Sequence, residues 1–129
     1  RNNFVLGIVS NTSKRRLDFF RQKLKLDNFF SFYVTRDDTP FRKPSPYPII
    51  IALKKIKKNY NYSIKKENVY YVGDLPADIE CAKNAQIKSI ALLSGHGTNK
   101  GLENSDPTLL LQDIKKILEI KDFKKFLLD

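Results

Sequence analysis

Asp74 and Asp78 stand four residues apart in Val72-Gly73-Asp74-Leu75-Pro76-Ala77-Asp78, and that spacing is the strongest promise of chemistry in the chain. An apolar run ends at Gly73, and Pro76 sits where a helix would begin. Asp74 is thereby left at the carboxyl end of a strand, while Asp78 falls in the first helical turn and can point back towards it. Two carboxylates converging there suit a hard divalent cation. Mg²⁺ takes one or two protein carboxylates, keeps several waters and fills its shell with substrate phosphate. The same spacing also allows a purely structural use, with Asp74 capping the helix and Asp78 complementing its dipole.

Two more polar residues belong with this pair. Ser10 closes the apolar run Phe4 to Val9, and Lys43 sits in the loop before the helix start Ser45-Pro46. Pro44 biases Lys43 towards extended backbone and holds its side chain clear of that helix. A hydroxyl donor, a fixed cation and a metal carboxylate together suit a phosphoryl group, whose transfer is mostly positioning and charge neutralisation. Taken singly, Ser10 is equally a turn or capping residue and Lys43 a surface lysine.

The elements that must position these residues are legible in the pattern. Phe4 to Val9 reads as a buried strand, followed by a turn and helix cap over Ser10 to Ser13. Leu17, Phe20 and Leu24, widened by Phe19, predict an amphipathic helix to about Leu26. Phe30 to Val34 predicts a second strand, and Thr35 to Lys43 a polar loop. Ile49, Ile50, Leu53 and Ile56 mark the buried face of a helix from Ser45-Pro46 to about Asn59. A strand over Asn68 to Val72 and a helix to Ala85 follow, then a strand over Ile87 to Leu93 and a flexible loop over Ser94 to Thr98. Thr108 to Leu111 reads as an edge strand, Gln112 to Ile120 as a helix, and Asp122 to Leu128 as a last turn or two. This alternation predicts an α/β domain with a three-layer, Rossmann-like parallel sheet flanked by helices. In such sheets ligands bind outside the carboxyl ends of the strands, where Ser10, Lys43 and Asp74 fall.

Composition narrows the partners. The 129 residues make one domain, with 41% hydrophobic and 29% charged residues typical of a soluble globular chain. No apolar run approaches the length of a membrane span, and no signal peptide is read. One cysteine, Cys81, excludes an internal disulfide framework and fits a reducing, cytoplasmic compartment. The net charge of +10 is scattered over polar helix faces, without an RNA-binding aromatic motif, zinc-finger spacing or basic repeat. Specific nucleic-acid binding is therefore not expected, and the positive field suits small phosphorylated molecules.

Three motifs in order resemble the haloacid dehalogenase-like superfamily of phosphohydrolases. Ile8-Val9-Ser10-Asn11 resembles its second motif, Arg42-Lys43-Pro44-Ser45-Pro46 its third, and Val72 to Asp78 its fourth. The tail Ile79 to Ala85 follows the usual pattern, except that Gln86 stands where a helix-ending glycine is common. The Lys-Pro-x-Pro form is most similar to the phosphoglycolate phosphatase and phosphoglucomutase branch. The resemblance implies that Ser10 and the Asn11 backbone hold phosphoryl oxygens, that Lys43 offsets their charge, and that Asp74 and Asp78 anchor Mg²⁺. It also implies a first motif, Asp-x-Asp, at the end of a strand lying between those of Ser10 and Asp74. No Asp-x-Asp occurs in the sequence. Residues 1–129 therefore read as the C-terminal portion of a core domain, without the nucleophile strand and cap. That strand is expected from a preceding segment or a neighbouring chain, and without it the chain is expected not to turn over substrate. The alternative is a non-catalytic phosphate-ligand-binding or scaffold module on the same fold. His96 between two glycines reads as an exposed loop residue or a substrate contact. Phe123, Phe126 and Leu127 read as core packing or a docking surface.

Overall fold

The computed structural model describes residues 4–61 and 64–120. Strands and helices alternate as β1 (Gly7–Val9), α1 (Lys14–Leu24), β2 (Phe32–Val34), α2 (Tyr47–Tyr60), β3 (Tyr70–Gly73), α3 (Pro76–Asn84), β4 (Lys88–Leu92), α4 (Asn99–Asn104) and β5 (Leu109–Leu111). Every strand pairing is parallel, and helices flank the sheets. The last segments, Asp122 to Leu128 with Phe123, Phe126 and Leu127, lie outside the described residues.

The strands form two sheets, β1-β2 and β3-β4-β5. Among the described residues no backbone hydrogen bond joins β1 to β3. The backbone of β1 shows which way its polar groups turn. Leu6 C=O accepts from Ser31 N–H at 2.8 Å, and Ser10 N–H donates to Val34 C=O at 2.9 Å. Both point to β2, so the Val9 carbonyl, across the peptide from Ser10 N–H, points away from it. That carbonyl accepts a hydrogen bond from Tyr71 Oη, on β3, at 3.2 Å.

One helix bridges the two halves. Ala52 and Ile56 of α2 pack with Phe32 and Val34 of β2, while Ile49 packs with Cys81, Ala82 and Ala85 at the α3 end. Leu53 borders both clusters. A third cluster joins Ile79 of α3, Ala91 of β4 and Leu102 of α4.

Element boundaries moved where local hydrogen bonding outweighed apolar pattern. Short 3-10 turns over Leu26–Asn28 and Lys66–Asn68 delay the starts of β2 and β3 by two residues. The regular hydrogen-bonded turns of α2 begin at Tyr47, one residue later than expected, while Pro46 is already in helical geometry and Ser45 Oγ accepts from Tyr47 N–H at 3.2 Å, the contact a capping serine makes. The helix expected over Gln112 to Ile120 is a 3-10 segment, Ile114–Glu119, capped by Asp113. α4 escaped the pattern because six residues with one buried side chain, Leu102, carry no periodicity. The α1 stripe is only partly covered, since Leu17 is buried while Phe19 and Leu24 are 59% and 57% exposed. Gln86 adopts φ 61°, and Ile87 N–H closes the end of α3 onto Ala82 C=O at 3.0 Å. This is the left-handed helix stop that glycine usually fills, at a cost of about 1–2 kcal/mol for another residue. No described helix is long and apolar enough to cross a membrane.

Candidate active site

Asp78 is the pivot of the site, and the start of α3 explains why. It occupies the third position of the helix, and its carboxylate reaches back to the N–H groups that the first turn leaves unpaired. Oδ2 accepts from Asp74 N–H at 3.2 Å and from Leu75 N–H at 3.1 Å. Oδ1 accepts from Lys43 Nζ at 2.6 Å, with the two side chains only 6% and 14% exposed. Gly73 leaves room for this, because a Cβ there would fall on the Asp78 carboxylate.

Lys43 is held by its loop. The Lys43–Pro44 peptide is cis, Pro44 C=O accepts from Asn84 Nδ2, and Ser45 C=O accepts from Cys81 Sγ, both at 3.0 Å. The loop is thus fastened to α3, the helix that Asp78 opens. Cys81 accordingly serves packing and a backbone contact, fully buried.

Tyr71 closes the circuit. Its ring centre lies 5.6 Å from Lys43 Nζ, and its hydroxyl reaches the Val9 carbonyl, one residue before Ser10. Lys43, Asp78 and Asp74 are therefore in direct contact, and Ser10 is joined to them through Val9 and Tyr71. Ser10 Oγ accepts from Thr12 N–H at 3.1 Å, which is a turn role that leaves its proton free to donate. Asn11 beside it is exposed. Asp74 is half-buried, does not cap α3, and gives Oδ2 to His96 N–H at 2.9 Å. The His96 side chain is exposed.

Burial shapes the ionisation of the cluster. It pushes the Tyr71 hydroxyl up to about 12 against the opposing pull of Lys43. It likewise pushes the Cys81 thiol up to about 11. Burial disfavours the Lys43 ammonium, but Tyr71 and Asp78 outweigh it and the net shift is upward. In each case the folded state holds the proton more tightly than the unfolded chain. Their contribution to stability is full below the ordinary values of 9.0 for Cys81 and 10.0 for Tyr71, and is lost as pH rises through about 11 and about 12. Denaturant melts between pH 8 and 12 are expected to show falling stability, and Tyr71→Phe to flatten the upper part of that fall. An unchanged slope above pH 10 in Tyr71→Phe would separate the tyrosine from the effect.

Sequence reasoning missed Tyr71, which reads as one more strand residue, and missed the fastening of Lys43 through Asn84 and Cys81. No pattern announces either. The glycines flanking His96 were a signal, for they mark a close approach, and the approach is to Asp74.

The profile of a family described as haloacid dehalogenase-like hydrolase matches residues 1–92. Phosphoglycolate phosphatase 1 of Pseudomonas aeruginosa is 25% identical over 95% of this chain and 43% of its own length. The phosphoglycolate phosphatase of Vibrio cholerae is 28% identical over 91% of this chain and 49% of its own. Among solved structures, a HAD-superfamily hydrolase from Ehrlichia chaffeensis superposes with a TM-score of 0.73 at 26% identity, covering 97% of this chain and 52% of that one. The chain spans less than half the length of the two phosphatases it matches here.

Proposed function

From the premise that this chain belongs to the haloacid dehalogenase-like hydrolase family, we propose that it forms the C-terminal part of the core of a Mg²⁺-dependent phosphomonoester hydrolase. The substrate class is a small phosphorylated metabolite, in keeping with the phosphoglycolate phosphatases it resembles. The observation that carries the reading is the contact chain Lys43–Asp78–Asp74 at the carboxyl end of β3. It gathers a buried cation, its anchor and an outward carboxylate at one point.

The residues fit a hard cation in part. Asp74 offers a half-buried carboxylate whose Oδ1 has no partner among the described residues, and one or two such ligands suffice for Mg²⁺. Asp78 spends both oxygens on Lys43 and two N–H groups. We therefore assign Asp74 to the metal and Asp78 to holding Lys43 and Asp74 in place, in preference to the paired ligation that their spacing implies. When bound, Mg²⁺ neutralises charge on the phosphoryl oxygens. Lys43 would add a second positive charge, with protons to spare beyond the one given to Asp78. Ser10 Oγ donates to a phosphoryl oxygen, and the Asn11 N–H supports it. The nucleophile is an aspartate on a strand from outside these residues. It would form an acyl phosphate as the P–O bond to the leaving group breaks, the second aspartate of the Asp-x-Asp motif giving the departing oxygen its proton, and water would then hydrolyse that mixed anhydride.

Removing the Asp74 charge tests the assignment. In a full-length parent that supplies the nucleophile strand, Asp74→Asn is expected to lower Mg²⁺-dependent hydrolysis of p-nitrophenyl phosphate at least about 10²-fold, the scale on which losing one electrostatic stabiliser acts. Full retained Mg²⁺ dependence would return Asp74 to a structural role. The second reading is a non-catalytic phosphate-binding or scaffold module on the same fold. Phosphate binding with no turnover in the full-length protein would select it.

A further inference from the structure

Asp74 is gripped from one side by the turn that follows β4, between Ser94 and Thr98. His96 N–H donates to Asp74 Oδ2 at 2.9 Å, and Gly97 N–H donates to the Asp74 backbone carbonyl at 3.0 Å. The glycines on either side of His96 are needed for space. A Cβ at Gly95 would fall on Asp74 Cβ and Oδ2, and one at Gly97 on the Asp74 carbonyl oxygen. Neither glycine has a positive φ, so backbone freedom does not explain them. The far end of the turn is tied down, because Thr98 caps α4 and Leu102 of that helix is fully buried against Ile79 and Ala91.

We propose that this Gly-His-Gly turn is the positioning element for the metal carboxylate. It pins Oδ2 and the main chain of Asp74, and presents Oδ1 alone to the cation. A carboxylate fixed this way loses little rotamer freedom on binding and favours one-oxygen ligation, as a small octahedral cation requires. The turn acts through two N–H groups and two missing side chains. The His96 imidazole takes no part. The inference rests on the assignment of Asp74 to the metal.

Mg²⁺ alone, titrated calorimetrically into the full-length protein, tests it. Gly95→Ala is expected to weaken Mg²⁺ binding about 10–100-fold, the usual loss when the groups that orient a ligand are disturbed. The melting temperature without metal should stay within a few degrees. His96→Ala, which keeps its N–H, should bind within about twofold of the unaltered protein. Wild-type affinity in Gly95→Ala would overturn the proposal, and so would an equal loss in His96→Ala, which would move the role to the imidazole. If Gly95→Ala fails to fold, the unaltered protein still decides. Its His96 and Gly97 amide resonances should shift in step with Mg²⁺ saturation, and silent amides would overturn the proposal. No saturable Mg²⁺ binding by the unaltered protein would instead overturn the metal reading on which it rests.

Discussion

Replacing Lys43 with methionine is expected to destabilise the protein by about 3–5 kcal/mol, the cost of leaving a buried carboxylate without its counter-charge. The magnitude follows from burial, since the Asp78 side chain is 6% exposed and its 2.6 Å partner 14%. A surface pair of the same length would be worth at most about 1 kcal/mol. Lys14–Asp18, with side chains 67% and 40% exposed, is such a pair and serves as the control. A second substitution sharpens the test. In Lys43→Met/Asp78→Asn the amide oxygen still accepts from Asp74 and Leu75 N–H, and no net charge remains to be buried. Much of the lost stability should therefore return. Urea unfolding of the three variants measures this, and a loss below about 1 kcal/mol in Lys43→Met would show that water reaches the pair.

The largest expected effect belongs to the partner strand. β1 and β3 share no backbone hydrogen bond among the described residues, although Val9 and Tyr71 meet between them. We propose that a strand carrying Asp-x-Asp, from a preceding segment or a neighbouring chain, pairs with both. Supplying it raises p-nitrophenyl phosphate hydrolysis from background to an enzymatic rate, a rise of at least about 10⁶-fold. Residues 1–129 alone should show no metal-dependent turnover. Intact mass of the active material should reveal a longer polypeptide or a bound fragment with that motif. Turnover by the 129-residue chain on its own, at its own mass, would end this proposal.

The fold was legible because its signals are local and strong. Apolar runs ending in Ser10 and Gly73, and a proline near the start of α2 and α3, place the strands and the two central helices within three residues. The edges were less legible, because 3-10 turns at Leu26–Asn28 and Lys66–Asn68 push the strand starts to Phe32 and Tyr70, past the apolar Phe30 and Val69. At the site, order and spacing pointed to Ser10, Lys43, Asp74 and Asp78 as one cluster, but not to how Asp78 is used. Spacing shows that two carboxylates can converge. It does not show that one will be taken by a lysine 35 residues earlier and by two main-chain donors. Tyr71 was invisible for the same reason: its contact crosses from β3 to β1, 62 residues apart, where one chain of letters carries no register. The glycines around His96 were the one visible trace of the turn that grips Asp74.

The double duty of α2 has a consequence for how the molecule opens. Its Ile56 side packs on β2, its Ile49 side on α3 with Tyr71 of β3 alongside, and Leu53 borders both. Local fluctuations can therefore release the outer rim of either sheet, β2 or β5, while the helix stays docked on the other. Amides in the middle of α2 should be freed only when both halves let go together. They would set the ceiling of hydrogen-exchange protection, with each half behaving as a smaller cooperative unit below that ceiling. A protein divided along its sheet ladders is in this way still joined along one face of a single helix.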